Sequence, residues 1–507
     1  MTTQNANLYS LLRSRFADHG EACCLELADG RCISYDQVDQ QSGRMAGALT
    51  ELGVKPGDRV LVQTDKSLET VILYLACLRT GAVFLPLNTA YTASEIRYFM
   101  NDASPVVAVC RPQNYSALSP IARAANIKQL LTLGTQTDGS LMDYFTSCPD
   151  RDLLVPRQSH DLASIIYTSG TTGHSKGAML SHGNLASNAL VLHAYWGWGE
   201  GDVLLHALPI FHVHGLFVAL HCAFLNASPV LFLNTFNTDT VLERLPRATV
   251  MMGVPTFYVR LLACPEFDRQ LVASMRLFIS GSAPLLEETF HRFEQRTGHR
   301  ILERYGMSEA GMITSNPLDG ERLAGTVGYL LPGHNGRVVD EQGQKVPRGT
   351  PGILEITGPN VFNGYWQMPK KTAREFRSDG YFITGDIATM AEDGRISIVG
   401  RGKDLVISGG YNVYPKEIEL LIDDMPGVLE SAVIGLPHAD FGEAVTAIVV
   451  SVGDKPLDEQ QILQALDGKL ARFKQPKRVF FVDQLPRNTM GKIQKNQLRD
   501  HFNDTYR

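Results

Sequence analysis

Through most of its length the chain alternates short apolar runs with longer stretches of helical spacing. The run "RVLVQT" at 59–64 is followed by Ser67 to Leu78, which carries Leu68, Val71, Ile72 and Leu75 at helical intervals. Gly81 then stops that helix before "AVFLPLN", the next strand. Thr92 with Glu95 makes a capping-box pattern, and "PVVAVC" follows it as a further strand. The order repeats in "PVLFLN", a helix near 239–245, "TVMMGVP", a helix through Tyr258 and Leu261, and "MRLFISGSAP". These strands are apolar on successive positions, which calls for cover on both faces of a sheet. An α/β fold built on layered, mostly parallel sheets is expected.

At 507 residues the chain exceeds one ordinary core, and its texture changes twice. From about residue 325, "GTVGYLLPGHNGRVVDEQGQKVPRGTPGILEI" is rich in Gly and Pro with short strands, as in an antiparallel β-rich subdomain. A second break lies at "SIVGRGKDLVISGGYNVYPKEIE", where Pro415 opens a helix; the strands and helices beyond it read as a small α+β domain. The expected domains are 1–400 and 401–507, with the boundary at Arg401 to Asp404.

Formal net charge is −6, from 47 basic and 53 acidic side chains, which is no footprint for nucleic acid. The apolar runs "VILYLACL" and "LFVALHCAFL" fall well short of the ~20 residues of a membrane span, so no membrane partner is expected. In the opening "MTTQNANLYSLLRSRF", Leu8, Leu12 and Phe16 recur at helical spacing, and no basic segment leads into an apolar one. The eight cysteines include no C-x-x-C pair and read as reduced, mostly buried thiols. A cytoplasmic protein is expected.

Against that background "YTSGTTGHSKGAMLSH" at 167–182 stands out. Gly170, Gly173 and Gly177 let the backbone turn tightly and approach a partner, Thr168, Ser169, Thr171 and Thr172 supply short hydroxyls, and Lys176 supplies a cation. A strand, this loop and a helix opening near Asn184 would present N–H groups and charge to a phosphate. The spacing is not that of a Walker A loop.

Four further motifs follow in order: "RYGMSE" (304–309), "YFITGDIA" (381–388), "VGRGKDLVISGGYNVYPKEIE" (399–419) and "LPRNTMGKIQK" (485–495). With the first, they resemble the adenylate-forming superfamily of acyl-CoA synthetases, nonribosomal adenylation domains and luciferases, from about residue 30 onward. The resemblance implies that ATP and a carboxylate form an acyl-adenylate and pyrophosphate, which a thiol then attacks. ATP, Mg²⁺ and coenzyme A are thus expected, and the small C-terminal domain is expected to be mobile. Thr168, Ser169, Gly170, Thr171, Thr172, Gly173 and Lys176 would cradle the β- and γ-phosphates, Ser175 standing where the family commonly has proline. Glu309 and Thr168 would hold Mg²⁺. Tyr305 would stack on adenine, with Gly281, Ser282 and Ala283 on its other side and Glu303, Arg304, Gly306, Met307 and Ser308 completing the nucleotide pocket. Asp386 would accept from the ribose hydroxyls, and Arg401 would approach the same ribose.

The same resemblance makes Lys492 the lysine that contacts carboxylate and α-phosphate oxygens during adenylation, where charge develops. It also makes Lys492 a candidate substrate for a lysine acetyltransferase, since loss of its charge would silence it. Lys403 matches the hinge between the two half-reactions, and Ser408, Gly409, Gly410 and Tyr411 would line the coenzyme A path. No carrier domain with a serine attachment motif is present in the sequence, which favours free coenzyme A as the acceptor.

For the acid, "LPIFHVHGLF" offers His212, common to the superfamily at the acyl site, and His214. His214 with "SGSAPL" is similar to the malonyl-CoA and methylmalonyl-CoA synthetases. Burying a second carboxylate without a cation is costly, so Arg260 or Arg276 is expected beside it, with Arg276 favoured by the strand that leads into the adenine segment. Met252, Ser282 and Met307 would shape a small pocket. An aryl or medium-chain monocarboxylate is the alternative substrate.

Overall fold

The computed structural model describes residues 5–168, 175–408, 411–438, 440–452, 457–467, 469–470, 472–488 and 491–506, with the backbone alone for Arg401, Lys403, Tyr411 and Asn412. A large, mostly parallel α/β domain is joined to a smaller α+β domain at the C-terminal end.

Two sheets dominate the large domain. One runs Gln129–Thr132, Val107–Cys110, Arg59–Gln63, Val83–Pro86, Leu162–Thr168, Lys176–Ser181, parallel except for its last pair. The other has nine strands, with Leu204–His206, Val230–Phe232, Val250–Gly253, Leu277–Ser280 and Leu302–Met307 in its parallel part. Helix Leu68–Thr80 starts at Ser67, whose side chain accepts from Thr70 N, and stops at Gly81 in the left-handed region. All its residues but Glu69 are buried, so it lies inside the layers rather than on their surface. Each large apolar side chain buried there contributes about 1.5–3 kcal/mol.

A four-stranded antiparallel sheet, Asn335–Val339, Gly352–Thr357, Phe382–Met390 and Ile396–Arg401, carries the Gly/Pro-rich stretch. Sheet membership then changes between Arg401 and Val406. Five strands between Val406 and Phe481 form the last sheet, with cores of their own around Ile418, Val433, Ala447 and Ile462 on one side and Ile434, Ile448 and Leu498 on the other.

Two local expectations are corrected. Cys23 and Cys32 are not separate thiols: they are joined by a disulfide across the antiparallel pair Cys23–Glu26 and Cys32–Ser34, which brings their Cα atoms to 5.7 Å. The other six cysteines are unpaired, five of them buried. The helix expected near Asn184 is present, but the part of the expected loop that leads into it, Lys176–Ser181, is a strand. Gly177 pairs with Tyr167 and Ala178 with Ile166, so the apolar run 178–180 extends the sheet, and the helix His182–Tyr195 begins only beyond it, capped by Ser181 with Asn184.

Among the described residues no helix is long and apolar enough to cross a membrane.

Candidate active site

The hairpin Leu162–Thr168 and Lys176–Ser181 sets the first part of the site, with Thr168 and Lys176 opposite each other at its end. Ser169, Gly170, Thr171, Thr172 and Gly173 lie outside the described residues. Because no helix starts at this turn, its described positive charge is that of the Lys176 side chain. The Lys176 ammonium lies 2.5 Å from the Tyr365 hydroxyl, 3.5 Å from Glu309 and 3.6 Å from Glu375. The same hydroxyl reaches Glu375 at 2.7 Å and Glu309 at 3.0 Å. Thr168 Oγ1 stands 3.5 Å from Glu309 Oε1. Against the upward push of burial, hydrogen bonds from Lys371 and Tyr365 and the charge of Lys176 hold Glu375 below the usual carboxylate range. One buried carboxylate beside hydroxyl oxygens suits Mg²⁺, which takes oxygen ligands and completes its shell with phosphate and water. Glu309 and Thr168 would hold it, and the ion would neutralise phosphate oxygens there.

The nucleotide side is built by strand Leu302–Met307, which pairs in parallel with Leu277–Ser280 and antiparallel with Gly311–Ser315. The Tyr305 hydroxyl donates to Asp386, bringing together the two residues expected at adenine and ribose. Asp386 lies directly opposite Arg401 in the ladder, so Arg401 falls next to the acid expected at the ribose and also at the end of this sheet. Glu303 is buried and accepts from the Leu285 amide at 3.0 Å, tying down the segment that begins with Gly281, Ser282 and Ala283. Burial pushes its carboxyl up to about 7. Gly306, Met307 and Ser308 continue past Tyr305, half-buried. Ser408 is buried opposite Tyr411, while Gly409 and Gly410 and the side chains of Tyr411, Arg401 and Lys403 are outside the described set.

A second group gathers around Arg304, a residue expected in the nucleotide pocket. Gly281 leaves it room: a Cβ there would fall 2.4 Å from the guanidinium. Ser282 adopts the left-handed region, φ 71°, uncommon for a residue with a Cβ, and its hydroxyl stands 3.2 Å from His214 Nδ1. Nε and Nη2 of Arg304 and Nε2 of His214 are buried without a hydrogen-bond partner among the described residues. Burial lowers Arg304 to about 9, so it stays charged at neutral pH. Burial, with the cations Arg304 and Lys492 adding, pushes His212 down to about 4; burial and Arg304 push His214 well below its ordinary value. Both histidines are therefore neutral at pH 7, and Arg304 is the fixed cation beside them. Met252 is buried on the neighbouring strand. Lys492 sits in a turn closed through Asn488, and Gly491 of that turn packs against Thr256 in the large domain.

Of the two arginines expected beside a second carboxylate, Arg276 is engaged away from this group. Arg276 binds Asp202 through Nε and Nη2, both at 2.6 Å, and donates to the Trp196 carbonyl at 3.1 Å. It stands just before strand Leu277–Ser280, whereas Gly281 and Ser282 follow the strand's other end. Arg260 is exposed on helix Pro255–Leu262. Replacing Arg276 with Met is expected to cost about 1–3 kcal/mol of stability by leaving Asp202 without its partner, with no change in the preference among acids. A denaturant titration and a two-acid competition assay check both halves.

Tyr365 and Glu375 were not expected at the site. They reach Lys176 from 189 and 199 positions along the chain, and no local spacing marks them.

Residues 12–366 match the family model of the AMP-binding enzymes, and residues 417–492 match the model of their C-terminal domain. ATP-bound MatB from Rhodopseudomonas palustris is 53% identical over 99% of this chain and 100% of that one, with a TM-score of 0.97. The apo form of the same protein superposes at 0.85. Bovine mitochondrial malonate–CoA ligase ACSF3 is 34% identical over 87% of this chain and 81% of its own length. A feruloyl-CoA synthase from Amycolatopsis is 32% identical over 99% of this chain and its whole length. The chain takes ATP with Mg²⁺ and coenzyme A, proceeds through an acyl-adenylate, and belongs to the AMP-binding enzymes as an AMP-forming acyl-CoA synthetase.

Proposed function

We propose that this synthetase activates a small dicarboxylic acid, malonate or methylmalonate, and passes it to free coenzyme A. The observation that carries this reading is Arg304: a buried guanidinium with two unpartnered nitrogens, beside the Ser282 hydroxyl and a neutral His214. Burying guanidinium N–H groups unpaired is costly, and a second carboxylate would repay that cost by a forked pair with the Nε and Nη2 left open among the described residues. The malonate–CoA ligases among the relatives support the same choice.

The reacting carboxylate would then lie toward His212 and Lys492. A cation there stabilises the charge that grows on carboxylate and α-phosphate oxygens in the transition state. Lys176 and the phosphate turn would hold the departing pyrophosphate, and Asp386 the ribose. For the second step, rotation about Lys403 would withdraw Lys492 and bring Ser408 to Tyr411 to the thiol. The higher superposition on ATP-bound than on apo MatB supports the reading that the arrangement here is the adenylating one. A cytoplasmic location and silencing of Lys492 by a lysine acetyltransferase belong to the same proposal.

Pyrophosphate release measured over malonate, methylmalonate, propionate, butyrate and benzoate, with and without coenzyme A, tests it. The dicarboxylates are expected to give the highest kcat/KM, with thioester formed only when coenzyme A is present. A preference for butyrate or benzoate would overturn the dicarboxylate assignment and leave the synthetase chemistry standing.

A further inference from the structure

Lys66 lies in the turn between strand Arg59–Gln63 and helix Leu68–Thr80 and is buried without a carboxylate among its described contacts. Its ammonium contacts His206 Nδ1 at 2.6 Å, the His206 carbonyl at 2.9 Å and the Leu233 carbonyl at 2.5 Å. It also stands 4.4 Å over the Phe232 ring, which stacks on the His206 imidazole. On the far side of that imidazole, Nε2 lies 2.9 Å from the Gly215 carbonyl.

Hydrogen-bond logic fixes the protons along this chain. A carbonyl only accepts, so Nε2 of His206 must carry a proton. Burial, with the Lys66 charge adding, pushes His206 well below its ordinary value, so the ring is neutral and Nδ1 bears the lone pair. Lys66 must therefore donate to Nδ1. Burial pushes Lys66 well below its ordinary value, yet Nδ1 and two carbonyls face it, and only the ammonium form has the three protons to satisfy them.

Gly215 sits at the head of a π-helical stretch, His214–Leu220, a geometry that is rare and recurs at functional sites. The bend before it is tight: a Cβ on Gly215 would fall 2.2 Å from the Pro209 carbonyl. Within it, the His214 amide faces His212 Nδ1 at 3.3 Å, and His214 faces Ser282. Without Lys66 the Nδ1 lone pair is left unsatisfied in the interior and only the Gly215 carbonyl favours the Nε2–H tautomer, so the ring's tautomer and orientation are held less firmly.

We propose that Lys66 and His206 are positioning residues for the acyl site: Lys66 selects the Nε2–H tautomer of His206, and that proton holds the Gly215 carbonyl and so aims His212 and His214. The inference rests on the reading that those two histidines line the acyl pocket.

The test uses Lys66→Met, His206→Leu and His206→Gln, the last retaining an N–H donor toward Gly215. The acid is whichever one the pyrophosphate screen ranks first, so failure of the dicarboxylate assignment leaves this test intact. Lys66→Met and His206→Leu are expected to raise KM for the acid about tenfold to a hundredfold, with KM for ATP nearly unchanged, and His206→Gln is expected to recover most of the loss. Unfolding temperature is recorded alongside, and Lys66→Met is expected to lower it, since His206 Nδ1 and two buried carbonyls lose their donor. Nitrogen chemical shifts of ¹⁵N-histidine protein, assigned by loss of the His206 signal in His206→Gln, are expected to show protonated Nε2 in the parent and a shift toward protonated Nδ1 in Lys66→Met. An unchanged KM for the acid in both Lys66→Met and His206→Leu, or parallel changes in the KM of acid and ATP, would overturn the proposal. Should Lys66→Met not fold, Lys66→Gln is measured in its place, and a parent protein with Nε2 unprotonated refutes the scheme without any variant.

Discussion

Lys492→Ala slows formation of the acyl-adenylate by about a hundredfold to a thousandfold, while thioester formation from supplied acyl-adenylate and coenzyme A falls much less. The expectation follows from where the lysine sits. Its turn is docked on Thr256 of the large domain and its charge is felt at His212, which supports the proposed place of the ammonium beside the acid and the α-phosphate. Charge grows on those oxygens only as the new bond forms, so the loss belongs to the rate and leaves ATP affinity largely intact. Single-turnover measurements of each half-reaction separate the effects. Equal losses in both would remove Lys492 from the adenylation step and assign it to the fold or to both steps.

The second large effect is one of preference. Arg304→Met is expected to lower kcat/KM for malonate by roughly 30-fold to several thousandfold, the cost of cutting a buried charge pair of about 2–5 kcal/mol. Propionate or butyrate should lose little or gain, because the pocket would no longer hold an uncompensated cation beside a methyl group. Stability is expected to hold, since two nitrogens of this guanidinium have no hydrogen-bond partner to lose among the described residues. Lysine is a poor replacement, lacking the planar fork. Parallel measurement of kcat/KM on malonate and butyrate decides the matter: an unchanged ratio would mean that Arg304 does not read the distal carboxylate.

Arg304 also shows what could and could not be read from the chain. The motif "RYGMSE" marks it, but its adjacency to Tyr305 suggests a shared nucleotide role. On a strand, neighbours point to opposite faces. Tyr305 accordingly meets Asp386, while Arg304 faces the histidine pair. Arg276 misleads for a related reason. It opens the strand that leads into Gly281, but five residues of extended chain span about 16 Å, and ligands gather at the carboxyl ends of parallel strands. The strand–helix alternation, the caps at Gly81 and Thr92, and the change of sheet after Arg401 are local and were legible. The contacts of Tyr365 and Glu375 with Lys176, and of Lys66 with His206, are products of tertiary folding across long separations, with no periodicity to announce them. The strand at Lys176–Ser181 was hidden by composition: glycine and serine flank it, and only pairing with Leu162–Thr168 gives it an extended form.

The cluster around Tyr365 has a consequence for how a highly charged nucleotide can enter. Lys176 and Lys371 face Glu309 and Glu375 across one hydroxyl, two cations against two anions. A pocket so compensated works as an ion exchanger. A polyphosphate arriving with Mg²⁺ would bring both signs at once: Lys176 would turn from carboxylate to phosphate, leaving Glu309 to hold the ion. Little net charge is created or abandoned in the interior during the swap, and when pyrophosphate leaves with its metal the original pairs can close again behind it.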